Sequence, residues 1–470
     1  MTTASRRLLV LAAVVATAGV SACSTPLGGS SAATPAPTTT TIAGASTPAQ
    51  TKAADLRASL TYLMVEHAYL LGRVTRQVVT TGAVPAEAAG GVAAGAAAAG
   101  GAAAGGPAAE PRTTLAGSSG ATTTTAPGAG GASGTPTGPS DGPAALDASS
   151  KDLAAALSTP YGPQFATQFY SLWAARNADF EAYAQAKVAK SAPAATKATE
   201  ALGTNATSLA TLFHTTNKYI EIKTVATTGL QDELGPVNQA VTDLIDAQAA
   251  NDPTEVPKLV AAAEKLPHTA TVIAAATAKL HPDAYPGTPT GTAANLRATI
   301  TAALVEHVEL ASLTLEAVAT GLSSGPVAAA LGANTQQLTN VFSAVYSDQS
   351  GMDFARLWAS HIADLVDYAR ARASNDTSAA EAASSRLNDY TRAFGAYLSG
   401  SEATAGRLSA GAVTSDFKVH VDSLLAVTDA AASRAADQAV AVRRAAGHMP
   451  PTASSLAEAI AEQFGVKYLP

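Results

Sequence analysis

The sequence predicts an all-α fold: two tandem helical bundles, ferritin-like or of a related up-down type, behind a signal peptide and a disordered leader. Three observations predict it. Alanine dominates a chain whose aromatic content is only 5%, and alanine loses no side-chain entropy on entering a helix. Apolar residues recur at helical spacing, and one half of the chain repeats in the other.

The repeat is the most informative of these. Leu56-Arg57-Ala58 leading to Val65-Glu66-His67 recurs at the same spacing as Leu296-Arg297-Ala298 leading to Val305-Glu306-His307. Phe169, Leu172, Trp173, Ala174, Asp179, Tyr183 and Ala184 recur as Phe354, Leu357, Trp358, Ala359, Asp364, Tyr368 and Ala369, and these tryptophans are the only 2 in the chain. Asp246-Ala247 matches Asp429-Ala430, and Pro267-His268 is set against Gly447-His448. Such a unit is too long for a solenoid module and reads as a duplicated domain.

Helices follow from periodicity. Leu56, Leu60, Leu63, His67 and Leu70 mark one apolar face, and Leu296, Ile300, Ala303, His307 and Leu310 mark its equivalent. The second copy continues with Leu331, Leu338, Phe342 and Val345, then Phe354, Leu357, His361, Leu365 and Tyr368. Leu387, Tyr390, Phe394 and Leu398 give a fourth helix, and Phe417, His420, Leu424 and Val427 a fifth. A sixth approaches His448, where Pro450-Pro451 must kink or restart it.

Residues 1–22 read as a signal peptide: Arg6 and Arg7, an apolar run from Leu8, then small residues closing on Val20-Ser21-Ala22-Cys23. The run falls below the roughly 20 residues that cross a bilayer, and no later segment reads as apolar enough to span. Val-Ser-Ala-Cys resembles the lipobox of bacterial lipoproteins, which implies lipidation of Cys23 and a lipid-anchored protein on the extracytoplasmic face of the cell membrane. A simple secreted protein is the alternative. Ser5-Arg6-Arg7 also looks somewhat like a twin-arginine signal, although ordinary export needs only the charge. Cys23 is the only cysteine, so no disulfide can form within one chain.

Residues 23–51 are rich in Ser, Thr, Pro and Ala and predict a disordered tether. A Gly-, Ala-, Pro- and Thr-rich insertion over 84–141 interrupts the first domain (52–281), with O-glycosylation or a plain spacer as its readings. The Pro/Gly-rich segment 282–292 predicts a linker to the second domain, 293–470. A net charge of -7 without basic clusters argues against a nucleic-acid partner.

The chain holds 8 histidines. His307, His361 and His420 fall on the apolar seams of three different helices, and His448 lies near the end of another. Bundle helices pack about 8–10 Å apart, so imidazoles projecting inward could converge on a transition metal ion. Asp364, one turn after His361, is a further candidate ligand, while Glu306 and Met449 lie about 100° round the helix from their histidine neighbours. Haem, taking one or two of these imidazoles as axial ligands, is the lesser alternative. Against a metal, the sequence has no Glu-x-x-His or His-Glu-x-x-His motif, and single core histidines often only pack. In the first copy Arg176 stands for His361 and Val237 for His420, with His67 and His268 retained. His214 and His281 read as surface residues. Trp358 and Tyr368 read as core packing rather than a stacking platform. No nucleophile elbow, phosphate loop or cysteine nucleophile points to an enzyme.

From Leu296 through Phe464, the Glu-His helix, Leu-Trp-x-x-His with downstream Asp and Tyr, the histidine-bearing amphipathic helix and Gly-His-Met resemble a helical domain of uncharacterised exported proteins from Gram-positive bacteria. The resemblance extends less closely to the first copy, implies no activity, and places His307, His361, His420 and His448 at the pattern's histidines. Composition and lipobox look actinobacterial. Three functions remain open: a metal-binding lipoprotein, a structural or adaptor protein that binds an envelope protein through its helices, and a metal-dependent redox enzyme.

Overall fold

The computed structural model describes residues 48–82, 141–220 and 229–465. The signal peptide, Cys23, most of the leader and nearly all of the 84–141 insertion lie outside these residues. The described residues are helical without a strand. In the first repeat they form α1 (Lys52–Thr81), α2 (Gly142–Tyr161), α3 (Pro163–Val188), α4 (Ala192–Thr216), α5 (Leu230–Ala250), α6 (Glu255–Ala263) and α7 (Leu266–Leu280). The second repeat supplies α8 (Thr292–Ala319), α9 (Gly325–Val345), α10 (Asp348–Ser374), α11 (Thr377–Ser399), α12 (Ala410–Ser433), α13 (Gln438–Ala446) and α14 (Met449–Phe464).

Local chemistry explains the boundaries. Ser347, Asp376 and Ser409 cap α10, α11 and α12 by accepting from a backbone N–H in the first turn. Asn251, Asn375 and Arg434 end α5, α10 and α12 in left-handed conformation. Pro450 and Pro451 open α14, so the expected kink is a restart, with the prolines in the first turn where no N–H is missed. Because α7 begins at Leu266 with Pro267 next, Pro267 pairs with Pro450. The earlier match of His268 to His448 is therefore three residues out of register.

The two repeats share a core. Leu60, Trp173, Ile300 and Trp358 belong to a single cluster of buried apolar residues, and the described residues of both repeats form one compact unit. Segment 282–292 thus joins two repeats that fold against each other rather than two separate bodies. The central pair is α1 and α8, which pack together and bury their Glu66 and Glu309 side chains completely. Arg73 binds Glu316 at 2.7 Å, and Arg443 reaches Glu66 at 3.3 Å across the repeat boundary. Pro48–Gln50 form a 3₁₀ turn, with Ala49 buried and its carbonyl accepting from Arg297 at 2.9 Å. The tether therefore does not extend to residue 51: its last residues dock on the bundle.

One further expectation is corrected. The helix α8 is long and apolar enough to cross a membrane, with mean hydropathy 1.2 over an 18-residue window, contrary to the expectation that no later segment would be. That window is 83% buried, because α8 is surrounded by α1, α9, α10, α12 and α14. A helix apolar on all sides is also what the centre of a large bundle requires.

Candidate metal centre

Three of the predicted histidines meet. His307 on α8, His361 on α10 and His420 on α12 are all buried, and one nitrogen from each lies within 4.8 Å of the others. Their helices come together because their apolar seams face one core. Close approach of α11 to α12 helps: a Cβ at Gly395 would stand 2.7 Å from the Ala410 carbonyl, so only glycine fits there. His361 Nε2 lies 3.3 Å from His307 Nε2. Two ligands at a metal–nitrogen distance of about 2.0–2.1 Å in tetrahedral array would be about 3.3–3.4 Å apart.

The remaining ring nitrogens are short of partners. His307 Nδ1 and both nitrogens of His420 have no hydrogen-bond partner among the described residues. His361 Nδ1 has no well-formed one, though the backbone of Trp358 slightly favours its protonated ring. Leaving a buried polar group unpaired costs about 1–3 kcal/mol, and most such groups in folded proteins are satisfied. Burial first, and repulsion among the rings second, hold His307 and His361 well below the usual imidazole range. Burial, aided by His448, brings His420 down to about 4. The rings are therefore neutral at pH 7, which is the ligating form.

Aromatic side chains wall the triad. The Trp358 ring lies 4.7 Å from both His307 and His361, and Tyr390 stacks on His361 at 4.7 Å and 21°. Tyr390 was read only as a packing residue of its helix. Its role depends on which neighbour it covers, which periodicity does not carry.

The other candidates stand elsewhere. Asp364 pairs with Arg386, which turns it from the triad. His448 is half-buried at the start of α14 and reaches His420 only as a neighbouring charge. Glu306, pushed up to about 7 by burial, hydrogen-bonds toward Asn334 and Tyr69, and Met449 is buried in the core. Tyr368 donates to Asp429 at 2.9 Å, as Tyr183 does to Asp246 in the first repeat, so it is not part of a platform with Trp358. His214 and His281 are half-buried rather than on the surface; His214 Nδ1 lies 2.8 Å from the Ile220 carbonyl. His268 is exposed and pairs with Glu233 at 2.6 Å.

In the first repeat the same place holds a different arrangement. The Trp173 indole donates to His67 Nε2 at 3.0 Å, which puts the ring proton on Nδ1, 3.4 Å from Ser149 Oγ. Asn177 Oδ1 lies 3.1 Å from Nε2. Arg176 is buried with its guanidinium carbon 4.9 Å from the Trp173 and Phe180 ring centres, and its Nε donates to Asn238 at 2.9 Å. Burial lowers it to about 9, so it stays charged at pH 7, with no carboxylate paired to it among the described residues.

Comparison with protein-family models, curated proteins and solved structures finds no match to this chain.

Proposed function

We propose that this protein is a lipid-anchored extracytoplasmic lipoprotein that holds one transition metal ion in its second repeat, through His307, His361 and His420. The observation that carries the metal reading is the convergence of three buried neutral imidazoles, in which the Nε2 atoms of His307 and His361 face each other at 3.3 Å and both nitrogens of His420 lack a partner among the described residues. A metal would satisfy the three together, whereas simple packing leaves His420 unpaired. Imidazole suits copper, zinc, iron and nickel. All three ligands are neutral and no carboxylate joins the cluster, so the ion's charge is uncompensated in a low-dielectric site. The cost of burying charge rises steeply with its magnitude, which favours a monovalent ion. Copper(I) is the first candidate and zinc the second. The first repeat supports that order, since it carries a single positive charge, Arg176, at the position of His361. Full burial of the rings favours a retained ion over catalytic turnover. The anchor rests on the Cys23 lipobox.

The test is metal content of the full-length mature chain, prepared without a histidine tag and offered copper(I) under reducing conditions or zinc. His361→Ala is measured beside it. The expected result is near one equivalent, copper before zinc, lost in the variant. A parent that takes up neither metal, or a variant that binds as well as the parent, overturns the reading.

A further inference from the structure

The second repeat encloses a cavity of about 200 Å³ that no feature of the metal site accounts for. Its walls are aromatic and aliphatic, with Phe354, Trp358, Phe394 and Phe417 prominent, and polar groups enter through Asp416 and Thr452. The Thr452 hydroxyl donates to Asp416 Oδ2 at 2.6 Å, the nearby Lys418 is engaged by Asp422, and among the described residues no basic side chain forms an ion pair with Asp416. Exposed Pro451, Ser455 and Ala412 also line it and form its mouth.

The first repeat supplies an internal control. Its equivalent space, between Met64, Phe169, Trp173 and Leu234, measures only about 10 Å³. One replacement in the lining narrows it: Phe213 stands where the second repeat has Leu398, with Phe165, at the place of Ser350, behind it and outside the lining. Phe165 packs edge-on to Phe213 at 5.0 Å, and Phe213 in turn packs on Phe169 at 6.0 Å. In the second repeat, Ser350 is instead tied to Tyr397, whose hydroxyl donates to the Ser350 carbonyl at 2.8 Å. A sequence of this ancestry therefore has a ready way to fill the space, and the second copy does not use it. Unfilled core volume of this size carries a stability cost, and a ligand that occupies it offsets that cost.

We propose that this cavity is a binding site for a small molecule with a one- or two-ring aromatic body and a neutral or cationic hydrogen-bond donor, the rings among Phe354, Trp358, Phe394 and Phe417 and the donor at Asp416. An apolar cavity of about 150 Å³ holds benzene, so a body of roughly ten non-hydrogen atoms suits this one. Anionic analogues are excluded by the unneutralised Asp416 carboxylate. This site is independent of the metal reading, although Trp358 borders both, so the measurement is made on metal-free protein.

Trp173→Phe leaves Trp358 as the only indole, and its fluorescence reports the site. The full chain carrying that change is titrated with 1-naphthylamine, a neutral two-ring acceptor of indole emission whose size matches the cavity. The bound probe is then displaced with 2-phenylethylamine, 2-phenylethanol and phenylacetate. Saturable quenching is expected in the micromolar range, with displacement by the amine and the alcohol at least about tenfold better than by phenylacetate. Asp416→Asn is expected to remove that preference. Leu398→Phe imports the lining residue of the first repeat, and Ala412→Trp blocks the mouth from an exposed position that leaves the core alone. Each is expected to weaken the probe at least about tenfold. Absence of saturable quenching, or binding that survives both the filling and the mouth variants, overturns the site. Displacement by phenylacetate equal to that by the amine overturns the assigned ligand class.

Discussion

The first repeat surrounds its buried histidine with hydrogen-bond partners, and the second surrounds its own with two more histidines. His67 accepts from Trp173 and has Ser149 Oγ beside its Nδ1, while the equivalent His307 is met by His361 and His420. The positions correspond one by one: Asn177 becomes Ile362, Ser149 becomes Asn334, Val237 becomes His420 and Arg176 becomes His361. Even the shared tryptophan changes its behaviour. Trp173 donates to histidine, whereas Trp358 Nε1 has no acceptor among the described residues. One scaffold therefore supports two solutions to a buried polar group. One satisfies it internally and gains rigidity. The other leaves donor atoms aimed at one another, a cost a folded protein does not ordinarily keep unless a ligand offsets it.

The largest expected effect comes from moving the site. Arg176→His with Asn177→Ile and Val237→His rebuilds the triad in the first repeat, and a second equivalent of metal is expected where the parent takes one. Metal content checks it directly. A stably folded triple variant that still binds one equivalent would show that side-chain identity is insufficient and that the backbone spacing of α3 and α5 differs in a way that matters.

A smaller effect is expected from Glu181, which occupies the place of Val366 and is buried. Burial pushes its carboxyl up to about 7 from an ordinary 4.5. The folded state therefore holds a proton that the unfolded state releases earlier. The stability tied to this group is present below pH 4.5 and is lost as pH rises through 7. Glu181→Val is expected to remove that pH dependence and to stabilise the protein above pH 7 by on the order of 1–3 kcal/mol. Urea denaturation at pH 5 and pH 8 measures it; an equal effect at both values would mean that Glu181 is ionised in the folded state.

The smallest effect separates the two tryptophans. Both Trp→Phe changes remove similar volume, but Trp173→Phe also removes the hydrogen bond to His67. In metal-free protein it is expected to cost about 1 kcal/mol more than Trp358→Phe. Equal costs would indicate that Trp358 Nε1 has a partner of comparable strength in solution.

Much of this was legible in the sequence. Duplication, helix content and the histidines on apolar seams follow from patterns with a period, and such patterns survive without knowledge of neighbours. His307, His361 and His420 were singled out because each sits where Leu would be ordinary. Asp364 was singled out on the His361 face and His448 near the end of another helix, and neither joins them. A helix face fixes direction only to within a sector, and Arg386 or a helix start decides the rest. The linker at 282–292 misled in a related way. Pro and Gly mark a break in helix, not a break in the core.

By itself the sequence pointed to an all-α chain in which one helical pattern recurs, and to three histidines on the apolar seams of the second copy. The tertiary structure decided that the copies share one core, that Trp358 and Tyr390 wall the triad, and that the second repeat keeps a cavity its sister narrows with Phe213. The division has a physical cause. Helical periodicity is a property of residues three and four apart, whereas ligand convergence and cavity volume depend on side chains brought together from helices far apart in the chain, at separations set by packing to within an ångström.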